Sequence, residues 1–152
     1  MERTLVILKP SALQRGLCGE IISRFEKKGL KITAMKMYRF TPEMCARHYS
    51  HLTGKSFYPT IEASMTASPV ILMCLEGVDC VEVVRSMTGC TNGRKSPAGT
   101  IRGDYSMSLL ENIVHASDSV ENARTELDRF FSAEDYFEYD SPAFNYIYST
   151  DD

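Results

Sequence analysis

Two uninterrupted apolar runs, Thr4-Leu5-Val6-Ile7-Leu8 and Val70-Ile71-Leu72-Met73-Cys74-Leu75, place the strongest constraint on what this chain can fold into. Neither alternates with polar residues, so each reads as a strand buried on both faces. The first stops at Lys9-Pro10, where proline removes a ladder donor. Between the runs lie helical patterns with clear ends. Gly19 to Lys28 puts Ile21, Ile22 and Phe25 on one face, and Gly29 stops it. Leu30 to Phe40 has β character, with a break in period at Ala34-Met35 that suggests a bulge. Thr41-Pro42-Glu43 opens a helix, and Phe57-Tyr58-Pro59 leads into a short one through Met65. Asp79 is expected to cap Cys80 to Met87, which Gly89 closes. Ser119 is expected to cap Val120 to Phe131, with Val120, Ala123, Leu127, Phe130 and Phe131 as its apolar stripe. The order is β-α-β-α-β-α-β-α with four strands. A split β-α-β sheet with helices over one face and a small parallel sheet both fit, and periodicity alone does not choose.

At 152 residues the chain is sized for one domain, taken as 1–152. A net charge of −3 gives no support to nucleic-acid or anionic-membrane binding through bulk charge. No run approaches the roughly 18 apolar residues of a membrane span. No basic-then-apolar leader is visible. The five cysteines (Cys18, Cys45, Cys74, Cys80, Cys90) show no C-x-x-C and no metal spacing, so free thiols in a reducing, cytoplasmic setting are expected.

The stretch Asn112-Ile113-Val114-His115-Ala116-Ser117-Asp118-Ser119 carries the candidate chemistry. Ile113 and Val114 read as the end of a buried strand, and Ser117, Asp118 and Ser119 are good helix caps. His115 therefore falls at a strand-to-helix junction, as an imidazole that can be a neutral nucleophile or base at working pH. Taken alone, such a histidine is more often a structural hydrogen-bonder. His48 and His51, at i and i+3, share one side of a helix, but no Cys or carboxylate motif accompanies them. They read as a solvated face, and Tyr49 between them as a core-edge tyrosine. Gly54-Lys55-Ser56 imitates the end of a P-loop, yet Tyr49 stands where its first glycine belongs. Gly89 to Asp104 is a long, glycine-rich stretch in which Thr91, Arg94, Lys95, Thr100 and Arg102 meet no acid until Asp104. That balance suits an anionic ligand, and long structureless loops are commonly functional. Lys9 and Arg85, taken singly, read as solvated charges. The aromatic tail from Glu138, with Phe144, Tyr146 and Tyr148, is suited to packing on the body or on another subunit.

Together, Lys9-Pro10, Gln14-Arg15-Gly16, Gly19-Glu20-Ile21-Ile22, His48-Tyr49, Gly99-Thr100-Ile101-Arg102-Gly103-Asp104 and the Asn112–Ser119 stretch resemble the nucleoside diphosphate kinases, from Arg3 to about Tyr148. The resemblance implies an α+β, ferredoxin-like split β-α-β sandwich with a four-stranded antiparallel sheet covered by helices. It implies transfer of the terminal phosphate of a nucleoside triphosphate to a nucleoside diphosphate through a phosphohistidine. His115 would be the nucleophile, Glu126 the carboxylate holding its ring, and Ser117 a hydroxyl near that pair. Lys9, Arg85 and Arg102 would bind phosphate with Thr91, and Tyr49 would donate near the transferred group. Asn112 would contact the sugar, and Phe57 with Leu109 opposite would stack the base, with low base specificity. Mg²⁺ would arrive on the nucleotide phosphates, with no protein cage of its own. A homo-hexamer is implied.

The chain departs from the family pattern with Ala116 for glycine, Ser11 for aspartate, Gly93 and Ala98 for prolines, and no tryptophan near the C-terminus. The two lost prolines loosen a loop that contributes to subunit contacts in the family. An RNA-recognition module of the same topology would carry an aromatic-basic signature that Val70-Ile71-Leu72-Met73 lacks. A hydrolase pairing Ser117 with His115 would need triad geometry that i, i+2 spacing does not suggest. A catalytically silent or nucleic-acid-binding relative of the same fold would differ from the enzyme only in activity.

Overall fold

The computed structural model describes residues 1–152. The elements run β1 (Glu2–Leu8), α1 (Pro10–Gln14), α2 (Cys18–Lys28), β2 (Lys31–Tyr38), α3 (Pro42–His48), α4 (Tyr58–Thr66), β3 (Val70–Gly77), α5 (Cys80–Thr88), α6 (Ile101–Tyr105), β4 (Val114–Ala116), α7 (Val120–Phe130) and α8 (Phe144–Ile147). The four strands form one sheet in the order β2-β3-β1-β4. Every pairing is antiparallel, so the small parallel sheet is excluded and the ferredoxin-like split β-α-β sandwich is the fold.

Alternate residues of β1 serve opposite cores. Leu5 and Ile7 pack with Phe40, Cys45, Met65, Leu127 and Phe130. Val6 and Leu8 pack with Ile21, Phe25, Val84 and Ile101. Helices therefore cover both faces rather than the single face expected, which is why β1 and β3 are apolar without alternation. The register pairs Ile7 with His115 across β1 and β4. Residues directly opposite share a face, so His115 lies on the Leu5–Ile7 side, beneath α7. Lys9 keeps an extended backbone (φ −67°, ψ 165°) and has the same parity as Ile7. The pleat thus aims Lys9 and His115 at one side of the sheet.

Several local signals act as expected. The Thr41 hydroxyl accepts from the Met44 amide at 3.1 Å and the Ser119 hydroxyl from the Asn122 amide at 3.1 Å. Gly29 ends α2 at φ 105°. A side chain there would also strike Ile147, because the tail folds back onto its own chain. The Tyr148 hydroxyl accepts from the Val78 amide at 3.3 Å.

Other expectations are corrected. Pro10 not only ends β1 but opens α1 as its first residue. The register shift in β2 lies between Ile32 and Ala34, a step earlier than Ala34-Met35. Asp79 sits at φ 48° and does not cap α5; Glu2 Oε2 instead accepts from the Val81 amide at 3.2 Å. Val120 is half exposed and outside the apolar stripe. Part of the Gly89–Asp104 stretch is ordered as a 3₁₀ turn at Gly93–Lys95 and as α6, whose Thr100 hydroxyl caps the Gly103 amide at 3.0 Å. Ile113 belongs to no strand. It holds φ 62°, and the Val114 amide reaches back to the Asn112 carbonyl at 2.8 Å. That is a γ-turn with a β-branched residue in a disfavoured conformation.

The loop also explains glycine at position 93. Its amide donates to the Ser108 carbonyl at 3.1 Å, and a Cβ would collide with Ser106, backbone and side chain alike. Proline at this position would lose the bond and force the collision. Gly93→Pro is expected to lower the urea midpoint of unfolding by an amount equivalent to about 2 kcal/mol or more. An unchanged or raised midpoint would refute this account of the loop.

Candidate active site

The strand-end geometry brings His115 to the wall of a cavity of about 600 Å³. Its Nε2 lies 2.6 Å from Glu126 Oε2 on α7. Glu126 is buried, so the carboxylate meets the ring away from competing water. Ten of the eleven expected site residues line this one cavity: Lys9, Tyr49, Phe57, Arg85, Thr91, Arg102, Leu109, Asn112, His115 and Glu126.

The eleventh does not. Ser117 is fully buried outside the cavity lining, and its hydroxyl has no hydrogen-bond partner. The second nitrogen facing Glu126 Oε2 belongs to His48, whose Nε2 lies 3.6 Å away. His48 is not the solvated residue its spacing suggested. It is buried, stands edge-on to the His115 ring at 4.8 Å between centroids, and receives a 2.8 Å hydrogen bond from Arg129 Nη1 at its Nδ1. Burial, with His115 and Arg129 close by, pushes its pKa down to about 2, so the ring is neutral and its contact with Glu126 is not an ion pair. His51 is exposed at the rim.

The cations are held differently from one another. Lys9 Nζ donates to Asn112 Oδ1 at 2.6 Å, and burial, then repulsion from Arg102, lowers its pKa to about 7. Asn112 is fixed in turn by donating to the carbonyls of Leu109 (2.9 Å) and Thr91 (3.1 Å). Arg102 is buried, and each of its three nitrogens holds a carbonyl: Asn112 at 3.3 Å, Gly89 at 3.0 Å and Val114 at 2.5 Å. A guanidinium has five N–H groups, so two remain for a ligand on a rigidly held fork. Its pKa falls to about 10, through burial and then the nearby Arg85. Arg85 itself is exposed at the cavity edge. The Tyr49 hydroxyl is buried without a partner, and burial raises its pKa. Phe57 and Leu109 are 40% and 49% exposed, leaving two apolar surfaces at the mouth for a flat group to cover.

His48, His115 and Glu126 offer donor atoms within 4.8 Å of one another. They do not make a metal cage. Arg129 can only donate, so His48 Nδ1 must accept, and the ring proton sits on the Nε2 that would have to bind the ion. What the cavity offers is a histidine held by a carboxylate, Lys9 and Arg102 held by hydrogen bonds in the same lining, and exposed apolar side chains at Phe57 and Leu109.

Sequence reading missed His48 and Arg129 as parts of this site. Arg129 follows Glu126 at i+3 and so shares its helix face, which is the signal that was available.

The family model described as Nucleoside diphosphate kinase matches residues 2–136. The chain belongs to the nucleoside diphosphate kinase family. It is 54% identical over 152 residues to the nucleoside diphosphate kinase of Parabacteroides distasonis, covering 100% of this chain and 99% of that one. It is 50% identical over 139 residues to that of Rhodopirellula baltica, covering 91% of each. Among solved structures, a halophilic nucleoside diphosphate kinase from Halobacterium salinarum in complex with CDP superposes with a TM-score of 0.93, at 36% identity, over 97% of this chain and 98% of that one. The protein is accordingly an enzyme that transfers phosphoryl groups between nucleotides.

The state of Lys9 is testable without substrate. Its pKa is about 7 in the folded chain against an ordinary 10.5, so the unfolded chain binds more protons between those values. Stability from this group therefore rises with pH across that window, approaching about 1.4 kcal/mol per pH unit. Urea midpoints of wild type and Lys9→Met are expected to diverge between pH 7 and 10, the wild type gaining on the variant. Parallel curves would refute the depressed pKa.

Proposed function

We propose that this nucleoside diphosphate kinase works by a ping-pong exchange in which His115 carries the phosphoryl group. The observation that carries the reading is the 2.6 Å contact between His115 Nε2 and Glu126 Oε2. A proton on Nε2, donated to the carboxylate, leaves the lone pair on Nδ1 as the nucleophile. That pair forms a bond to the γ-phosphorus while the bond from phosphorus to the bridging oxygen breaks. The nucleoside diphosphate leaves with those electrons, and the ring's positive charge is balanced by Glu126. A second diphosphate then attacks the phosphohistidine through its terminal oxygen and restores the free imidazole.

The remaining roles follow from positioning and charge, which dominate phosphoryl transfer. Lys9, Arg102 and Arg85, with the Thr91 hydroxyl, hold phosphate oxygens; the Arg102 fork suits them because it is fixed beforehand. The Tyr49 hydroxyl, buried and unspent, donates near the moving group. Asn112 meets the sugar, and the base lies between Phe57 and Leu109, where stacking accepts any ring and base specificity is broad. Mg²⁺ belongs to the substrate. The cavity wall carries only Glu126, already engaged, and Asp118 as carboxylates, so the ion would come on the nucleotide phosphates and keep most of its waters. We further propose that residues 1–152 act as a single unit, assembled as a homo-hexamer, in the cytoplasm. The five free cysteines suit that reducing compartment. No helix is long and apolar enough to cross a membrane.

Incubation with γ-labelled ATP is expected to give an acid-labile, alkali-stable adduct on the wild type, and exchange with several diphosphates should give parallel double-reciprocal lines. His115→Ala should lose the adduct and at least about 10⁴-fold of the exchange rate. An alanine variant that still labels would reject His115, and a wild type that never labels would favour the silent relative. Glu126→Gln should lower kcat by about 10- to 100-fold; an unchanged kcat would free Glu126 of its role.

A further inference from the structure

We infer that Arg129 is a positioning residue for phosphoryl transfer, acting through the tautomer of His48 to hold Glu126 against His115. The inference rests on the reading of His115 as nucleophile, and deepens it.

The relay is a continuous line of side chains from three elements. Arg129 on α7 places Nη1 at 2.8 Å from His48 Nδ1 at the end of α3. His48 Nε2 faces Glu126 Oε2 at 3.6 Å, and the same oxygen meets His115 Nε2 at 2.6 Å. A guanidinium stays protonated and can only donate. His48 Nδ1 must therefore offer its lone pair, and Nε2 must carry the proton. This nitrogen is buried and has no hydrogen-bond partner, so Glu126 Oε2 at 3.6 Å is the acceptor it faces without a full bond. The outcome is an N–H dipole aimed at the carboxylate oxygen that holds the nucleophile.

The opposite tautomer would be worse on both counts. It would press an N–H against the Arg129 guanidinium and turn a lone pair toward the carboxylate oxygen. In a buried setting either arrangement leaves a polar group desolvated and unmatched. Glu126 would relieve that strain by moving away from His48, and so out of line with His115. Arg129 excludes this state.

Neutrality of His48 matters equally. The charged and titratable groups facing it are His115 from β4, Glu126 and Arg129 from α7, Lys9 after β1, and Tyr49 and His51 beyond α3. Burial first, then the proximity of His115, Arg129, Lys9 and His51, lowers its pKa to about 2. A protonated His48 would compete with His115 for Glu126 as an ion pair; a neutral one steadies the carboxylate without capturing it. The edge-on contact of the two rings (4.8 Å, 76°) also walls one side of the nucleophile.

The chain has three histidines, so their ring nitrogens are separable by ¹⁵N NMR with single-site variants for assignment. In the wild type, His48 is expected to show a bare Nδ1 and a protonated Nε2 from pH 6 to 8. A proton on Nδ1, or a doubly protonated ring, overturns the inference without recourse to any variant. Arg129→Met, which keeps most of the aliphatic stem, should mix or reverse the tautomer. It should lower kcat about tenfold while the KM for the diphosphate stays within twofold. In a His48→Phe background the same change should have no further effect beyond twofold, because the path runs through the imidazole. A raised KM with unchanged kcat would make Arg129 a direct phosphate ligand, and multiplying effects would remove His48 from the path; either result overturns the inference. Failure of the His115 reading would show separately, as labelling that persists in His115→Ala.

Discussion

Burial of β1 on both faces, with a neighbouring strand on each side, is the constraint from which the rest of the molecule follows. A strand so enclosed cannot slip by one residue, because every apolar side chain would change cores. That fixed register determines which residues emerge where β1 ends. Ile7 stands across from His115, and two residues later Lys9 leaves the sheet on the same side. The polar site is thus an extension of the packing pattern rather than a feature laid over it. Leu127 and Phe130 press α7 onto this face, and Glu126 beside them comes within reach of the imidazole.

Arg102 then joins what the sheet alone leaves separate. Its three nitrogens hold carbonyls from the turn after α5, from the γ-turn and from β4. Burying a cation with no carboxylate partner is unfavourable unless hydrogen bonds satisfy it, and here backbone dipoles do so. The result is a charge that is both a structural tie and a part of the cavity wall. Asn112 plays a similar double part, since its side chain collects Lys9 while its own carbonyl receives Arg102.

What was legible in the sequence follows from the range over which each cause acts. Caps at Thr41 and Ser119 and the stop at Gly29 depend on a few neighbouring atoms, and their residue types were sufficient. Asp79 looked equally suitable as a cap. Glu2 took that task from the far end of the chain, and no local pattern could announce it. His48 shows the same limit. Helical spacing told that it shares a side with other residues, but which side meets the core was settled by α7 and Phe40 packing around it. The resemblance named Lys9, Tyr49, Arg102 and Asn112, which line one cavity, and it named Ser117 but not His48, the residue that faces the carboxylate.

The γ-turn at Ile113 has an implication for how this protein was shaped. A β-branched residue at φ 62° stores strain of about 1–3 kcal/mol. Glycine would occupy that conformation freely, so a chain selected for robustness alone would carry glycine there. Isoleucine instead is fully buried in the core that holds Val6, Leu8 and Ile101, and contributes apolar packing that glycine would forgo. The site therefore behaves like a drawn spring: conformational energy is held at one buried residue so that the carbonyl before it and the strand after it cannot drift apart.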